Sequence, residues 1–373
     1  MDLSNAARFA RVSLGDLVSR RDCLRYGALL GAAGCALGGG GPGAGAGGGG
    51  ARDGGGAAAD GGGAPAEGRG PAPEAAGDPS LRRSPKRYEM KKSINLWAFP
   101  YPQRLSLEEC FRLAARAGFE AVEVNYDLES DISPRAGEKG LAEVRALAER
   151  AGIEISGLCS FLFWPYSLTA NDEATRRRGL ELAGLMTEAA HQLGTTNLLV
   201  VPGAVYIPWL KDVEEVPYKV CDERARAAIR SLLPKAEALK VHLNIENIFF
   251  NAYLMSPPEL IEFVDSFASP YVRVHFDTGN IMPLQFPEHW IPLLGSRIQN
   301  VHLKEYSKKG TDYSLEAFRP LLDGTTNWPA VMEAFDRIGY RGYLTFEYFR
   351  PYRHYPEALI YHASDALDRI LGR

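Results

Sequence analysis

Four short apolar runs in the second half of the chain each end on a side chain that can bind a metal ion. These end residues are Glu246, Asp277, His302 and Glu347, and sequence with helix-like apolar spacing fills each gap between them. Because the carboxyl ends of all strands in a parallel barrel lie on one face, we expect the four side chains to converge there. Three carboxylates and one imidazole suit a hard or borderline divalent cation. The sequence therefore predicts a metal-dependent barrel enzyme.

Eight alternations of strand and helix follow Tyr88. Near-continuous apolar strands favour a parallel sheet, and eight units in one domain favour closure into a single (β/α)8 TIM barrel. No Gly-x-Gly-x-x-Gly motif follows the first strand, which argues against a dinucleotide-binding fold. The predicted strands are residues 93–98, 121–125, 154–159, 197–201, 241–246, 272–277, 298–304 and 343–348.

Only residues 88–373 are predicted to form the barrel. Residues 36–87 are rich in Gly, Ala and Pro and have little apolar surface to bury, so we expect a disordered linker. Residues 1–35 resemble an export signal, because Arg20 and Arg21 are similar to a twin-arginine motif and a short apolar stretch follows them. The signal predicts export by the twin-arginine route to the periplasm or cell envelope.

The sequence around Cys35 leaves three interpretations of the N-terminus open. Ala32-Ala33-Gly34-Cys35 resembles a lipoprotein cleavage site, which would anchor the protein to a membrane through a lipid on Cys35. A plain signal peptide, cut at a small-residue site, is the second interpretation. A mis-called start codon is the third. The remaining cysteines, Cys110, Cys159 and Cys221, are isolated, and we expect them to be free buried thiols.

Charge and hydropathy argue against two classes of partner. The 373-residue chain has a net charge of −4, so no basic field indicates nucleic-acid binding. No run reaches the roughly 18 apolar residues that a membrane-spanning helix needs. We expect a small-molecule partner, and the sequence leaves the formation of a homo-oligomer open.

The motifs around the four predicted ligands resemble those of a known family. They are similar to the xylose-isomerase-like barrels of the sugar phosphate isomerases and epimerases, which include ketose 3-epimerases, hydroxypyruvate isomerase and inosose dehydratase. The resemblance covers the chain after residue 88. It implies that the four residues bind one divalent ion, most often Mn²⁺, with Mg²⁺, Co²⁺ or Zn²⁺ as alternatives. The motifs are Glu246-Asn247, Asp277-Thr278-Gly279-Asn280, His302-Leu303-Lys304-Glu305 and Phe346-Glu347.

The resemblance also implies an isomerase or epimerase that removes a proton next to a carbonyl. In such enzymes the metal holds two adjacent oxygens of an α-hydroxy ketone and stabilises the enediolate. Glu246 and Glu347 match the paired glutamates that take and return the proton. Asn280 departs from many relatives, which have His at this position, so a second imidazole is missing. Asn280 is still able to donate a hydrogen bond to a substrate oxygen.

Two charged residues near the predicted ligands are further candidates for substrate binding. Lys304 lies two residues after His302 and should share its strand face, where the ammonium can support a substrate oxygen or form a salt bridge with Glu305 or Glu347. Glu123 ends the second strand, and it is expected to bind a substrate hydroxyl or the Lys304 ammonium, unless its role is structural.

Aromatic and basic residues follow several other strands. Trp97 lies near the end of the first predicted strand and Trp164 past the third, where aromatic rings suit the apolar face of a sugar. Arg353 and His354 lie in the loop after the eighth strand, where they can bind a substrate carboxylate or phosphate or form a solvated basic loop. No glycine-rich phosphate cradle follows strands seven or eight, which favours free sugars, keto-sugars or glycosides over sugar phosphates.

Alternative functions share the same predicted site. A lyase or dehydratase, acting by β-elimination on a 3-keto-glycoside or an inosose-like substrate, would use the same proton abstraction. A nuclease like endonuclease IV would need several histidines across strands two to six, which the sequence lacks. A non-catalytic carbohydrate-binding barrel is opposed by the intact set of metal-type ligands.

Overall fold

The computed structural model describes residues 82–208, 214–309 and 314–373. The predicted export signal (1–35) and the predicted linker up to residue 81 lie outside the described residues, so both stay predictions. Within the described ranges, no helix is both long enough and apolar enough to cross a membrane.

Eight parallel strands close into a barrel and confirm the predicted (β/α)8 TIM fold. Their order around the barrel follows the chain, and the last of them pairs with the first through Lys91 and Tyr343. The barrel strands are β1 (Lys91–Asn95), β2 (Ala121–Asn125), β3 (Glu154–Cys159), β4 (Asn197–Val200), β5 (His242–Glu246), β6 (Val272–Asp277), β7 (Ile298–Leu303) and β10 (Tyr343–Phe346).

A short antiparallel hairpin interrupts the alternation after β7. It consists of β8 (Glu305–Tyr306) and β9 (Phe318–Arg319), and the sequence pattern did not predict it because a strand of two residues has no periodicity to detect. The Glu305 carboxylate holds this region in place. Its oxygens accept hydrogen bonds from the Trp328 indole (2.7 Å) and from backbone groups that include the amide of Thr326 (3.1 Å).

In the described part of the chain, eight α-helices surround the strands, and capping residues mark the ends of several of them. Helix α1 begins after Ser106, whose hydroxyl accepts from the Glu109 amide while the Glu109 carboxylate accepts from the Ser106 amide. It ends at Gly118, which adopts the left-handed conformation that commonly closes a helix. The helices are α1 (Leu107–Ala117), α2 (Gly137–Ala151), α3 (Glu173–Leu193), α4 (Tyr218–Leu239), α5 (Pro257–Asp265), α6 (Pro287–Leu294), α7 (Trp328–Arg337) and α8 (Glu357–Leu371).

Alternation along the strands separates an apolar layer from a polar barrel interior. Leu243 and Ile245 of β5 are fully buried in the hydrophobic core. Asn244 and Glu246 alternate with them on the other face of the strand, and the Asn244 amide donates to Asn197 Oδ1 on β4 at 3.1 Å. Branched apolar residues usually fill the interior of such barrels, so a polar interior is a departure that calls for a functional explanation.

The three cysteines of the barrel are free and buried, which confirms their prediction. Burial raises the pKa of Cys110 to about 12 and that of Cys221 to about 11. It also raises the pKa of Cys159, which accepts hydrogen bonds from the amides of Asn95 and Asn125. All three are therefore protonated thiols at neutral pH, without the thiolate that nucleophilic chemistry requires.

Two glycines of α3 provide a matched test of its packing. A Cβ on Gly179 would lie 2.2 Å from the Tyr166 carbonyl oxygen, whereas a Cβ on Gly184 would meet only the mobile end of Lys235 at 3.4 Å. Gly179→Ala should therefore destabilise the protein by about 1–3 kcal/mol. Gly184→Ala should stabilise it by about 0.5–1 kcal/mol through helix propensity. Urea unfolding of both variants measures the difference, and equal effects would contradict this packing.

Candidate active site

Glu246, Asp277, His302 and Glu347 converge at the carboxyl-terminal face of the barrel and form what we call the four-residue cluster. Each side chain offers one ligand atom, and these atoms lie within 4.8 Å of one another. The Nδ1 atom of His302 is 3.3 Å from a Glu347 oxygen, 3.7 Å from a Glu246 oxygen and 3.8 Å from an Asp277 oxygen. All four residues are buried. The expected convergence of strand ends is therefore present.

Hydrogen bonds between neighbouring strand ends hold Asp277 in the cluster. The Asn247 side chain donates to the Asp277 carbonyl at 2.8 Å and accepts from the Asp277 amide at 2.9 Å. One Asp277 carboxylate oxygen accepts from the amides of Gly279 (2.8 Å) and Asn280 (2.9 Å). Backbone amides of the loop after β6 thus occupy one Asp277 oxygen, and the other oxygen faces the cluster.

Lys304 places a buried ammonium beside the cluster. Its Nζ atom lies 2.9 Å from an Asp277 oxygen and also contacts Glu347. The contact with Glu347 is one of the two salt bridges that the sequence left open for Lys304. Burial lowers the pKa of Lys304, but the charges of Asp277 and Glu347 outweigh burial and raise it overall. The rings of Phe349 and Phe318 lie 4.9 Å and 5.3 Å from the same atom. The Lys304 ammonium therefore supplies one permanent positive charge next to the cluster.

Asn280 connects the cluster to Lys304. Its amide nitrogen donates to the Asn247 carbonyl at 2.9 Å and to a Glu246 oxygen at 3.3 Å. Its amide oxygen accepts from Lys304 Nζ at 3.2 Å. Asn280 therefore links Glu246 to Lys304, and its predicted contact with substrate stays a prediction.

Glu123 takes a different position from the one expected for a substrate-binding residue. It has no exposed surface, and its Oε2 atom lies 2.5 Å from His302 Nε2. The Asn95 amide donates to the same oxygen at 2.6 Å. Its partners in the structure are His302 and Asn95 and not Lys304, because the carboxylate lies behind the imidazole, and this position is compatible with the structural role that the sequence left open. Asn95 was not among the site residues predicted from the sequence. It nevertheless lies at the end of β1, as the predicted ligands lie at the ends of their strands.

The other predicted substrate residues lie at different distances from the cluster. Trp97 packs near the rim, where its ring centroid is 5.3 Å from that of Phe349. Trp164 is half-buried against the hydrophobic core. Arg353 and His354 are exposed, and the described ranges contain no hydrogen bond or ion pair between either of them and the cluster. Their contacts with substrate stay predictions.

Two aromatic residues near Lys304 were missed by the sequence analysis. Phe349 lies three residues past the end of β10. Aromatic residues near the ends of other strands had been noted, so its position was a usable signal. Phe318 lies on the unpredicted β8–β9 hairpin and packs against Phe249 and Tyr306, with ring centroids 5.2 Å apart in both pairs. No local pattern indicated that this hairpin would fold back over the site.

The two glutamates of the cluster have opposite proton affinities. Burial raises the pKa of Glu246 to about 7, with further increases from the charges of Glu347 and Asp277. Burial also raises the pKa of Glu347, but the positive charges of Lys304 and His302 outweigh it and lower that pKa to about 2. Such divergence is typical of carboxylate pairs that share acid–base work.

His302 and Asp277 also depart from their ordinary proton affinities. Burial lowers the pKa of His302, but the negative charges of Glu123 and Glu347 outweigh it and raise the pKa well above its usual value. Burial raises the pKa of Asp277, and Lys304 partly opposes this effect. The metal-free cluster therefore retains protons at neutral pH that a bound cation would displace.

The donor atoms of the cluster fit a divalent cation. His302 Nδ1, Asp277 Oδ2 and Glu347 Oε2 are buried and have no hydrogen-bond partner among the described residues, although Lys304 lies within ion-pair distance of both oxygens. Several buried acceptors that share a single ammonium are incompletely compensated, and a cation bound among them would reduce the cost of burying them. Carboxylate oxygens with one imidazole suit Mn²⁺, and they are compatible with Mg²⁺, Co²⁺ or Zn²⁺.

Comparison with known proteins agrees with this architecture. The family described as xylose isomerase-like TIM barrel matches residues 111–370. Fructoselysine 3-epimerase of Escherichia coli O157:H7 is 24% identical over 285 residues, which cover 72% of this chain and 94% of that protein. D-psicose 3-epimerase from Clostridium cellulolyticum H10, solved with D-tagatose, superposes with a TM-score of 0.61 at 18% identity, covering 75% of this chain and 97% of that one.

A third relative has a different reaction in its name. The 3-oxo-isoapionate decarboxylase of Pectobacterium atrosepticum is 23% identical over 173 residues, which cover 45% of this chain and 62% of that protein. This chain therefore spans less than two thirds of that relative's length.

Metal binding should release protons. Because the raised pKa values of Glu246 and His302 keep both groups protonated near neutral pH, a cation must displace about one to two protons. We expect calorimetric titration with Mn²⁺ at pH 6.5 to give about one ion per chain, with an apparent enthalpy that varies with the ionisation enthalpy of the buffer. Affinity should fall as pH drops below 7.

His302→Ala should lose most of the Mn²⁺ binding in this titration, because His302 is the one imidazole among the four predicted ligands. An enthalpy independent of buffer would contradict the proposed displacement of protons.

In the metal-free protein, the raised pKa of Glu246 adds stability that is fully present below pH 4.5 and is lost as pH rises through about 7. Thermal unfolding with and without Mn²⁺ across this range checks that sign.

Proposed function

This chain belongs to the xylose isomerase-like TIM barrel family, and on that premise we propose that it is a divalent-metal-dependent isomerase or epimerase acting on a carbohydrate or keto-sugar. The observation that carries the proposal is the convergence of three carboxylates and one imidazole at the carboxyl-terminal face of the barrel, where the active sites of such enzymes lie. Lys304 is the one lysine or arginine side chain that contacts these carboxylates among the described residues. The epimerase relatives named above support the reaction class.

Glu246, Asp277, His302 and Glu347 would hold the ion, and Mn²⁺ is the one we expect. When bound, it would polarise the substrate carbonyl and stabilise the negative charge that proton loss creates. Lys304 supplies a second positive charge next to the same position. Because its ammonium is buried and has a raised pKa, it stays charged and is able to donate a hydrogen bond to a substrate oxygen.

Glu246 and Glu347 are the proposed acid–base pair. With its pKa lowered to about 2, Glu347 is ionised at neutral pH and able to accept the substrate proton. Glu246, whose pKa is about 7 before an ion binds, is the group that we propose returns a proton from solvent to the substrate after the cation has displaced its own. Loss of the proton from one face of the carbon and its return to the other face gives an epimer. Its return to the neighbouring carbon gives an isomer.

The surroundings of the site favour a carbohydrate without a phosphate group. Trp97 and Phe349 form an aromatic pair at the rim, and such ring faces suit the apolar face of a sugar. Lys304 is already paired with two carboxylates, so it is poorly placed to compensate a phosphate as well. We therefore propose a free sugar, a keto-sugar or a glycoside as substrate.

A lyase reaction is the second candidate, and the decarboxylase relative is the observation that favours it. Proton abstraction and decarboxylation both leave negative charge next to a carbonyl, so the same cation and the same ammonium would stabilise either product of bond cleavage. β-Elimination from a 3-keto-glycoside would begin with the same proton transfer and differ only in the loss of the leaving group.

Each glutamate of the pair should be necessary for exchange of a substrate proton. Glu246→Gln and Glu347→Gln both keep a ligand oxygen but lose the base, so turnover should fall by roughly 10²–10⁴-fold. The assay is deuterium incorporation from D₂O at the carbon next to the carbonyl, across a panel of keto-sugars and 3-keto-glycosides. Deuterium in an intact product indicates an isomerase or epimerase, and a released aglycone, water or CO₂ indicates a lyase.

The matched control for this assay is Glu333→Gln, which changes an exposed glutamate of α7 that pairs with Arg337 on the outside of the barrel. It should leave turnover unchanged. If a good substrate were found and neither glutamine variant at Glu246 or Glu347 slowed its turnover, the two-glutamate mechanism would be wrong.

Export is a separate proposal that depends on residues outside the described ranges. We propose that residues 1–35 direct the protein through the twin-arginine route to the periplasm or cell envelope, with a lipid anchor at Cys35 as one form. Replacing Arg20 and Arg21 with lysine should retain the protein in the cytoplasm. Cys35→Ser should move a lipid-anchored form from the membrane fraction to the soluble fraction. Unchanged location in both variants would indicate a mis-called start codon.

A further inference from the structure

The structure assigns Glu123 a role that the sequence did not indicate: we propose that it is a positioning residue that selects the tautomer of His302 and thereby tightens metal binding. The inference rests on the proposed metal centre. Its basis is the hydrogen bond of 2.5 Å between Glu123 Oε2 and His302 Nε2, made where neither side chain has exposed surface. The opposite ring nitrogen, Nδ1, faces the other three members of the cluster.

The selection follows from the chemistry of the two groups. A neutral imidazole has one N–H and one lone pair, and an ionised carboxylate only accepts hydrogen bonds. When Nε2–H donates to Glu123, the lone pair is on Nδ1, where a cation can bind it. The other tautomer would direct N–H into the cluster and place two lone pairs against each other at Nε2. Glu123 therefore disfavours the tautomer that cannot bind a metal, and its charge makes Nδ1 a stronger ligand.

The fold aims Glu123 at His302 through an irregularity in the sheet. Pairing between β2 and β3 shifts by one residue after Val122, so Val122 lies opposite Ile155 while Glu123 lies opposite Gly157. Such a bulge redirects the side chain that follows it. Gly157 makes room for the result, because a Cβ at this position would lie 3.1 Å from Glu123 Oε1.

The donors to Glu123 concentrate on the oxygen that faces His302. Asn95 on β1 donates to Oε2 at 2.6 Å, while Oε1 has no hydrogen-bond partner in the described part of the chain. Three strands thus contribute to one contact: β1 through Asn95, β2 through Glu123 and β7 through His302. Since Glu123 has no exposed surface and lies behind the imidazole, it acts on the metal through His302 and does not touch substrate.

The test compares Glu123→Gln with the unaltered full-length protein for binding of Mn²⁺ and Zn²⁺. Glutamine has the same shape, but its amide can donate as well as accept, so it no longer excludes the second tautomer. We expect binding to weaken by about 10–100-fold. Ser156→Ala is the matched control, because it removes a buried hydrogen bond of 2.7 Å to Ser93 in the same interior without touching His302. Its metal affinity should not change.

A second readout separates positioning from general loss of structure. In zinc-loaded protein labelled with ¹⁵N-histidine, the unaltered chain should show His302 with a protonated Nε2 and a metal-bound Nδ1. Glu123→Gln should show a mixture of ring states or a shifted Nε2 resonance. If this variant does not fold, Asn95→Ala removes one donor to Glu123 and should weaken metal binding in the same direction by a smaller factor.

The outcomes separate this inference from the proposed function. If the unaltered protein bound no divalent ion, the metal centre itself would fail. If it bound one ion while Glu123→Gln bound equally tightly with an unchanged His302 spectrum, the positioning role would be overturned and the metal centre would stand. An affinity loss in Ser156→Ala equal to that in Glu123→Gln would show a general effect of the barrel interior and would also overturn the inference.

Discussion

Compensation of buried negative charge is the constraint on which this site depends. Glu246, Asp277 and Glu347 lie within a few ångströms of one another in a region with almost no solvent exposure. Carboxylates removed from water are stable only when they are protonated or paired with cations. In the metal-free site, three groups reduce this negative charge: the Lys304 ammonium, the proton on Glu246 and the protonated His302 imidazole. A divalent ion would replace the protons, which is why metal affinity and pH are linked here.

The fold permits this concentration of charge because it separates stability from chemistry. Apolar residues of the strands pack outward against the helices, where they form one large buried core. The interior of the barrel is left to asparagines, serines and ionisable groups, including Asn197, Asn244 and His275. The strand-end loops are then clamped by polar contacts such as that between Asn247 and Asp277, so the ligands are held without apolar packing around them.

Much of the fold and the four proposed ligands followed from the sequence. The positions of most strands and helices could be predicted because apolar spacing and caps are local, as the capping pair of Ser106 and Glu109 illustrates. The first strand was placed too far along the chain, because residues 96–98, predicted as strand, form a 3-10 helix after β1. The ligands could be predicted because strand ends in a parallel barrel share one face, whatever the details of packing. The hairpin that carries Phe318 was missed, since two-residue strands have no pattern. The contacts of Arg353 and His354 with substrate stay predictions, since the direction of a loop is not a local property.

The sequence by itself determined the barrel, its register of polar and apolar residues and the chemical type of its site, because these depend on periodicity and on residue identity. Only the tertiary structure decided what each polar group contacts. Glu123 and His302 are 179 residues apart, and their contact depends on a one-residue shift between β2 and β3. A glycine within a strand, such as Gly157, is compatible with such a shift but does not specify which side chains it brings together. Whether a buried glutamate binds substrate, a lysine or an imidazole is set by such shifts in side-chain direction, which arise only when the strands pair.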